Sequence, residues 1–135
     1  MRRLAPLLLL VFACGGGPKL SSLRCRANPC QDKEDPFKLL LAVDFEDPSG
    51  TLGAGAIELR LDGSTQNAVA LKDVFAAQGL DPKATKGTLA LDQDLFIDRV
   101  TQSKAFTSSI IATNGDAHES NEPTLGFTLH IGGSP

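Results

Sequence analysis

The stretch Phe37-Lys38-Leu39-Leu40-Leu41-Ala42-Val43-Asp44-Phe45 decides the fold, because an apolar side chain stands at every second position along it. Successive side chains of a β-strand point to opposite faces, so this spacing places five large apolar residues on one face. The pattern predicts a strand with one buried face. Asp47-Pro48-Ser49-Gly50 follows, and these residue types favour a tight turn.

The same period of two recurs along most of the remaining chain. Asp73 to Gly79 predicts a short helical connection, with Asp73 as a cap and Gly79 as the end. Asp92-Gln93-Asp94 indicates a bulge or turn beside a further apolar patch at residues 95–97. The other predicted strands lie within residues 57–61, 69–71, 89–91, 106–112 and 125–131.

About seven short strands, with turns roughly every dozen residues and no long helical pattern, indicate an all-β protein. We predict a single antiparallel β-sandwich whose apolar alternating residues form the two inner faces. The domain is expected to cover residues 36–135, about 100 residues, which suits one domain.

Two segments resemble loops of bacterial immunoglobulin-like domains. Residues 43–50 are similar to the opening loop of that family, and residues 110–123 are similar to its closing stretch. Asn114 stands where the family usually has Asp, and Ala117-His118-Glu119 replaces a Gly-Asn step. The resemblance implies an immunoglobulin-like sandwich of about seven strands. The chain has no Trp and no cysteine pair between predicted sheets, so a fibronectin-like or prealbumin-like sandwich is equally allowed.

The N-terminal residues have the pattern of a secretory signal peptide. Arg2 and Arg3 precede an apolar run that ends at Ala13, which is too short to span a bilayer but has the length of a signal peptide core. Val11-Phe12-Ala13-Cys14 resembles the lipobox of bacterial lipoproteins. The alternative is an ordinary signal peptide in which Cys14 is incidental.

The lipoprotein resemblance implies that residues 1–13 are removed, that Cys14 receives a diacylglycerol, and that its new N-terminus is acylated, for example with palmitate. Two or more acyl chains anchor a protein stably at a membrane. Gly15, rather than Asp, follows the cysteine. In a Gram-negative bacterium the family's sorting rule then implies the outer membrane.

Residues 14–35 are expected to form a tether, because glycine, proline and serine are frequent there and no hydrophobic period is visible. Lipidation of Cys14 leaves Cys25 and Cys30 as an even pair. Outside the cytoplasm these two predict a small disulfide loop, and the alternative is two free thiols. A zinc site is not indicated, because His118 and His130 lie far along the chain.

Charge and composition limit the partners. The chain has 13 Lys and Arg against 16 Asp and Glu, a formal charge of −3. Signal removal takes away two arginines, which brings the charge to about −5. This acidity argues against nucleic acid and against electrostatic docking on anionic lipid. The absence of Trp and Tyr argues against a carbohydrate surface or an aromatic-anchored interface.

Two loops carry candidate calcium ligands. Loops after the first strand and before the last can meet at one end of a sandwich, and calcium binds six to eight oxygens. The alternative is that these Asp and Asn residues are ordinary turn formers. The candidate calcium ligands are Asp44, Glu46, Asp47, Asn114, Asp116 and Asn121.

No catalytic arrangement is evident. His118 lies near Asp116, Glu119 and Ser120, but adjacency along a polar loop does not preorganise a site. No cofactor and no small-molecule substrate is indicated. We therefore expect a non-catalytic envelope lipoprotein, a structural or protein-binding module for an unknown envelope protein. The alternative is a calcium-dependent adhesion or sensing module.

Overall fold

Two antiparallel β-sheets packed against each other form the fold. The computed structural model describes residues 17–95 and 104–130. No helix within these ranges is long and apolar enough to cross a bilayer. The strands are β1 (Lys19–Cys25), β2 (Lys38–Glu46), β3 (Ala56–Leu61), β4 (Ser64–Ala70), β5 (Lys86–Asp94), β6 (Lys104–Thr113) and β7 (Thr124–Leu129), and helix α1 (Leu71–Gln78) lies between β4 and β5.

The described strands divide into a three-stranded and a four-stranded sheet. The first sheet has the order β1-β2-β5, and the second has the order β4-β3-β6-β7. Every named pairing is antiparallel. The prediction of a single antiparallel, all-β sandwich with seven strands is confirmed. β4 pairs with β3 rather than with β5, which differs from the strand division of constant-type immunoglobulin domains.

β2 is the centre of the first sheet, as its alternation predicts. Leu39, Leu41 and Val43 are fully buried and point to the second sheet. Leu41 lies opposite Leu91 of β5, and Val43 lies opposite Leu89. Full burial of such a side chain contributes about 1.5–3 kcal/mol to folding, so this face is a major source of stability.

β1 lies inside the segment expected to be a tether, so the prediction that this segment lacks regular structure is wrong. Leu20 and Leu23 both point into the core, with exposures of 3% and 9%. Their spacing of three does not fit a regular strand. Ser22 has a φ of 53°, and the pairing of β1 with β2 shifts register between Ser21 and Arg24. This bulge lets both leucines face inward and hides the period of two.

The helix begins earlier than the sequence indicates. Leu71, expected in a strand, starts α1 and is buried together with Phe75 one turn later. Ala70 precedes the helix without a side-chain cap, and Asp73 lies within the first turn instead. Gly79 ends the helix in the left-handed conformation, as expected. Burial of the Leu71 and Phe75 pair fixes the start more strongly than a cap at Asp73.

The predicted bulge or turn at residues 92–94 is absent, because β5 runs regularly to Asp94 opposite Lys38. Gln93 keeps the inward alternation and is fully buried. Its amide accepts a hydrogen bond from Ser108 Oγ at 2.8 Å and donates to the Arg60 carbonyl at 3.2 Å. A polar contact therefore joins the two sheets within the core. Residues 96 and 97 of the predicted apolar patch lie outside the described residues.

Candidate functional site at the entry end

The chain enters the described structure at one end of the sandwich. β1 begins at Lys19, opposite Glu46 at the end of β2. The turn at residues 47–50 and the loop at residues 114–121 lie at the same end, since Asp47 contacts Asn114. We call this the entry end. The opposite end, the far end, carries the Cys25–Cys30 loop and the β3–β4 turn at Asp62 and Gly63.

Asp47 is the central residue of the entry end. Its side chain is buried, with the whole residue 1% exposed. The carboxylate accepts hydrogen bonds from Ser49 Oγ at 2.9 Å and 3.0 Å and from the Thr51 backbone at 3.3 Å. The Asn114 side-chain amide donates to it at 3.3 Å and 3.4 Å. A buried carboxylate needs such partners, and here they join the two loops.

Asn114 organises the second loop. It is 3% exposed. Its side-chain oxygen accepts hydrogen bonds from the backbones of Asp116 and His118, each at 3.0 Å. The Asn114 amide thus donates to one loop and accepts from its own. From the sequence, the two loops are expected to lie at the same end of the sandwich. The structure brings them together through the contact between Asp47 and Asn114.

The other candidate calcium ligands have different surroundings. Asp44 lies on the outer face of β2, where it accepts a hydrogen bond from Thr88 at 2.8 Å and pairs with Arg24 at 3.3 Å. The Thr88 hydrogen bond and the Arg24 guanidinium hold the pKa of Asp44 below its ordinary value. Glu46 and Asp116 have exposed side chains. The carboxylates of Glu46 and Asp116 are not among the hydrogen-bonding partners described for the Asp47 side chain.

Asn121 has a role that the sequence does not reveal. Its side-chain oxygen accepts a hydrogen bond from the Leu20 backbone N–H, and its amide donates to the Leu20 carbonyl, both at 2.8 Å. Among the described strands β1 lies at an edge of its sheet, and the Asn121 side chain pairs with that edge as another strand would. A separation of 101 residues gives no local signal for this contact.

Gly17 contacts the same loop. A Cβ atom at position 17 would overlap the carbonyl oxygen of Glu119, so only glycine fits this approach. The chain is therefore held at Gly17 by loop contact and at Leu20 by the Asn121 amide. An open cleft of about 510 Å³ lies beside these contacts, with Pro18, Phe45 and Glu46 among its lining residues.

Cys25 and Cys30 form a disulfide, which confirms the predicted pairing. The residues around it flank Leu40 of β2. The Arg26 N–H donates to the Leu40 carbonyl, and the Leu40 N–H donates to the Cys30 carbonyl, each at 2.8 Å. The loop therefore continues beside β2 and closes β1 at the far end. Cys14, the predicted lipidation site, lies outside the described residues.

A second cleft lies between α1 and β5, with a volume of about 420 Å³. Val69, Val74 and Leu91 contribute apolar surface. Asp73 and Asp92 contribute carboxylates at its margin, and Asp92 is paired with Arg26. The cleft therefore combines apolar surface with charged side chains.

Both histidines are exposed. The His118 backbone belongs to the Asn114 loop, and the His130 backbone pairs with the amide of Gln31 at 2.6 Å and 2.7 Å. In the part of the chain that the structure describes, no three His, Cys, Asp or Glu side chains are grouped as a metal site. The chain matches no known family model and no curated protein.

Proposed function

We propose that this chain is a non-catalytic lipoprotein of the bacterial envelope, anchored through Cys14 in the outer membrane of a Gram-negative bacterium. The observation that carries the proposal is the position of β1. It begins at Lys19, five residues after the cysteine of the lipobox-like segment. A disulfide-closed sandwich therefore follows the anchor almost directly, and it serves as a structural module or binds an envelope protein.

The hydrogen bonds of the entry end support a structural role for its polar residues. Asp47 and Asn114 join two loops, and Asn121 holds the edge of β1. A catalytic acid or base needs its reactive atom free for a substrate. These three side chains instead direct their polar atoms to the protein's own backbone and loops.

The cleft between α1 and β5 supports the protein-binding part of the proposal. Its apolar residues Val69 and Val74 are only partly buried, although they pack against the core. An exposed apolar patch rimmed by polar residues is one mark of a protein–protein contact. An envelope protein is the partner that an anchored module can reach.

Replacement of Cys14 tests the anchor. We expect Cys14→Ser to move the protein from the membrane fraction to the soluble fraction and to abolish palmitate labelling, because the acyl chains have no attachment site. The matched control is the double variant Cys25→Ser/Cys30→Ser, which keeps Cys14 and is expected to stay in the membrane fraction. Membrane retention of Cys14→Ser would contradict the proposal.

A second variant tests which of the two membranes holds the protein. Gly15→Asp changes only the residue after the lipidated cysteine. By the sorting rule of bacterial lipoproteins, we expect it to remain lipidated but to stay in the inner membrane. Density separation of the two membranes measures this. An unchanged outer-membrane fraction for Gly15→Asp would exclude sorting by this position.

Site-specific photocrosslinking tests the partner. A photoreactive residue at Val74, in the α1–β5 cleft, is expected to capture one envelope protein in intact cells. The matched control is the same residue at Thr128, whose side chain is exposed on β7. Capture of the same protein with equal yield at both positions would show that the cleft is not the contact surface.

A calcium-dependent adhesion or sensing module is the second candidate, because the two loops that carry most of the candidate ligands lie at the same end of the sandwich. A ligand that binds only the folded state raises the free energy of unfolding, by about 2.7 kcal/mol when the ligand concentration is 100 times its Kd. The melting temperature rises accordingly. We expect millimolar Ca²⁺, but not Mg²⁺, to raise the melting temperature if this role is correct. Asp47→Asn is the matched variant, and Ca²⁺ is expected to leave its melting temperature unchanged. If Ca²⁺ also leaves the melting temperature of the parent protein unchanged, this candidate is removed.

A further inference from the structure

We propose that the sandwich stands on the membrane with its entry end against the phospholipid headgroups and its far end directed away from them. The inference rests on the proposed lipid on Cys14 and adds the orientation of the domain. The surface concerned is formed by Lys19, the turn at residues 47–50 and the loop at residues 114–121. The occupant of this surface is the lipid headgroup layer that holds the acyl chains of Cys14.

The length of chain between Cys14 and Gly17 sets the distance between the membrane surface and the sandwich. Three peptide units separate Cys14 from Gly17. Consecutive Cα atoms across a trans peptide are 3.8 Å apart, so these units span at most about 11 Å. A tether over residues 14–35, as the composition suggests, would reach several times further. The domain therefore has little room to turn away from the surface.

The contacts of residues 17–20 prevent this link from lengthening. Gly17 lies against the Glu119 carbonyl, and Leu20 is 3% exposed opposite Phe45. The Asn121 amide holds both backbone groups of Leu20. Extension of the link by even three residues requires the loss of these hydrogen bonds and the exposure of Leu20.

Strand direction determines which loops meet the membrane. β1 runs away from the anchor, and β2 returns to it, with Lys19 opposite Glu46. β6 also ends on this side, because Thr113 lies opposite Ala56 at the start of β3. At roughly 3.3 Å per residue, the nine residues of β2 place the far end about 26 Å further from the bilayer.

The charges of the entry end indicate that the covalent anchor, rather than electrostatic attraction, sets this contact. Lys19 and Lys86 are exposed beside Glu46, and Lys83 is exposed on the loop before β5, while Asp116 and Glu119 are exposed on the neighbouring loop. A surface of mixed sign gains little from anionic lipid. The orientation is therefore expected to persist in high salt, whereas an electrostatic contact would weaken.

Fluorescence quenching in vesicles tests the orientation. The lipid-modified full protein is placed in phosphatidylethanolamine and phosphatidylglycerol vesicles that contain a lipid with a nitroxide on its headgroup. A fluorophore is attached to Asp116→Cys at the entry end or to Ser64→Cys at the far end, both exposed positions. We expect about threefold stronger quenching at residue 116, since roughly 26 Å separates the two ends.

A second pair protects the test against a misfolded variant. His118→Cys and Lys33→Cys lie at the entry and far ends, and both side chains are exposed. Insertion of twelve Gly and Ser residues between Gly16 and Gly17 is the control. It is expected to leave the protein in the vesicle fraction but to remove the difference in quenching.

The outcomes separate the orientation from the anchor. Equal quenching at both ends, with the protein still bound to vesicles through its lipid, would overturn the orientation and leave the lipoprotein proposal intact. Failure to recover any lipid-modified protein would instead overturn the proposed anchor. A difference in quenching that disappears in 1 M salt would identify an electrostatic contact and would also overturn the inference.

Discussion

At the scale of single residues, three side-chain amides act as substitutes for a neighbouring strand. Asn121 pairs with both backbone groups of Leu20 in β1. Gln78 donates to the Thr88 carbonyl and accepts from the Ala90 N–H of β5. Gln31 pairs in the same way with His130, directly after β7. An unpaired strand edge exposes hydrogen-bonding groups to other chains, and each amide covers part of such an edge.

Removal of the Asn121 amide tests this role. Asn121→Ala loses two hydrogen bonds, each with a net contribution of about 0.5–1.5 kcal/mol, so we expect a loss of about 1–3 kcal/mol in the free energy of unfolding. Urea denaturation followed by circular dichroism measures it. Asp116→Ala, an exposed position of the same loop, is the control and is expected to change stability by less than about 0.5 kcal/mol. Equal effects of the two substitutions would contradict the role.

At the scale of elements, the sequence predicts strands well where the alternation is regular. Residues 37–45 and 57–61 show it clearly, and the structure contains β2 and β3 there. β1 escapes prediction because its bulge at Ser22 places two buried leucines three residues apart. Hydrophobic period is a local signal, and an extra residue in a strand changes it.

Prediction of the candidate site from the sequence is limited in the same way, because the sequence carries only local signals. Asn and Asp in two turn-rich segments predict loops, and proximity of Asp47 to Asn114 follows from the sandwich topology. The partners of Asn121 and Gln31 do not follow, because the hydrogen bonds join residues 101 and 99 positions apart. Such contacts depend on the packed arrangement of both sheets, which composition and spacing do not contain.

Among the described strands, β5 lies at an edge of the first sheet, and this edge gives a prediction for an element. Gln78→Ala uncovers the Thr88 carbonyl and the Ala90 N–H, so we expect the variant to self-associate at concentrations where the parent protein does not. Analytical ultracentrifugation measures the change. Lys72→Ala, an exposed substitution on the same helix, is the control. An unchanged sedimentation profile for Gln78→Ala would mean that the amide is not needed to protect this edge.

At the scale of the whole molecule, each sheet carries an outer-face carboxylate stabilised in its ionised form. Asp44 belongs to the first sheet and Glu58 to the second. Hydrogen bonds from Thr65 and from Arg60, which also contributes its charge, lower the pKa of Glu58. Arg60 in turn contacts Glu122 at 3.3 Å, which connects β3 with the segment before β7.

This arrangement predicts acid sensitivity. A carboxyl group with a lowered pKa in the folded state contributes stability above its unfolded pKa, about 4 for Asp and Glu, and loses that contribution as the pH falls through the folded value. We expect the melting temperature to fall below about pH 4 and the fall to be smaller in Glu58→Gln. The effect is modest because these side chains are solvated. An identical pH profile for Glu34→Gln and Glu58→Gln would contradict the assignment.

The geometry of β1 has a mechanical consequence. If Cys14 carries the proposed lipid, a pull on that lipid acts along β1 from its first residue, parallel to the strand axis. The hydrogen bonds between β1 and β2 are then loaded in shear and share the force, instead of opening one after another. The Cys25–Cys30 disulfide lies at the end of this strand, so the residues between the two cysteines add no length when such a pull extends the chain.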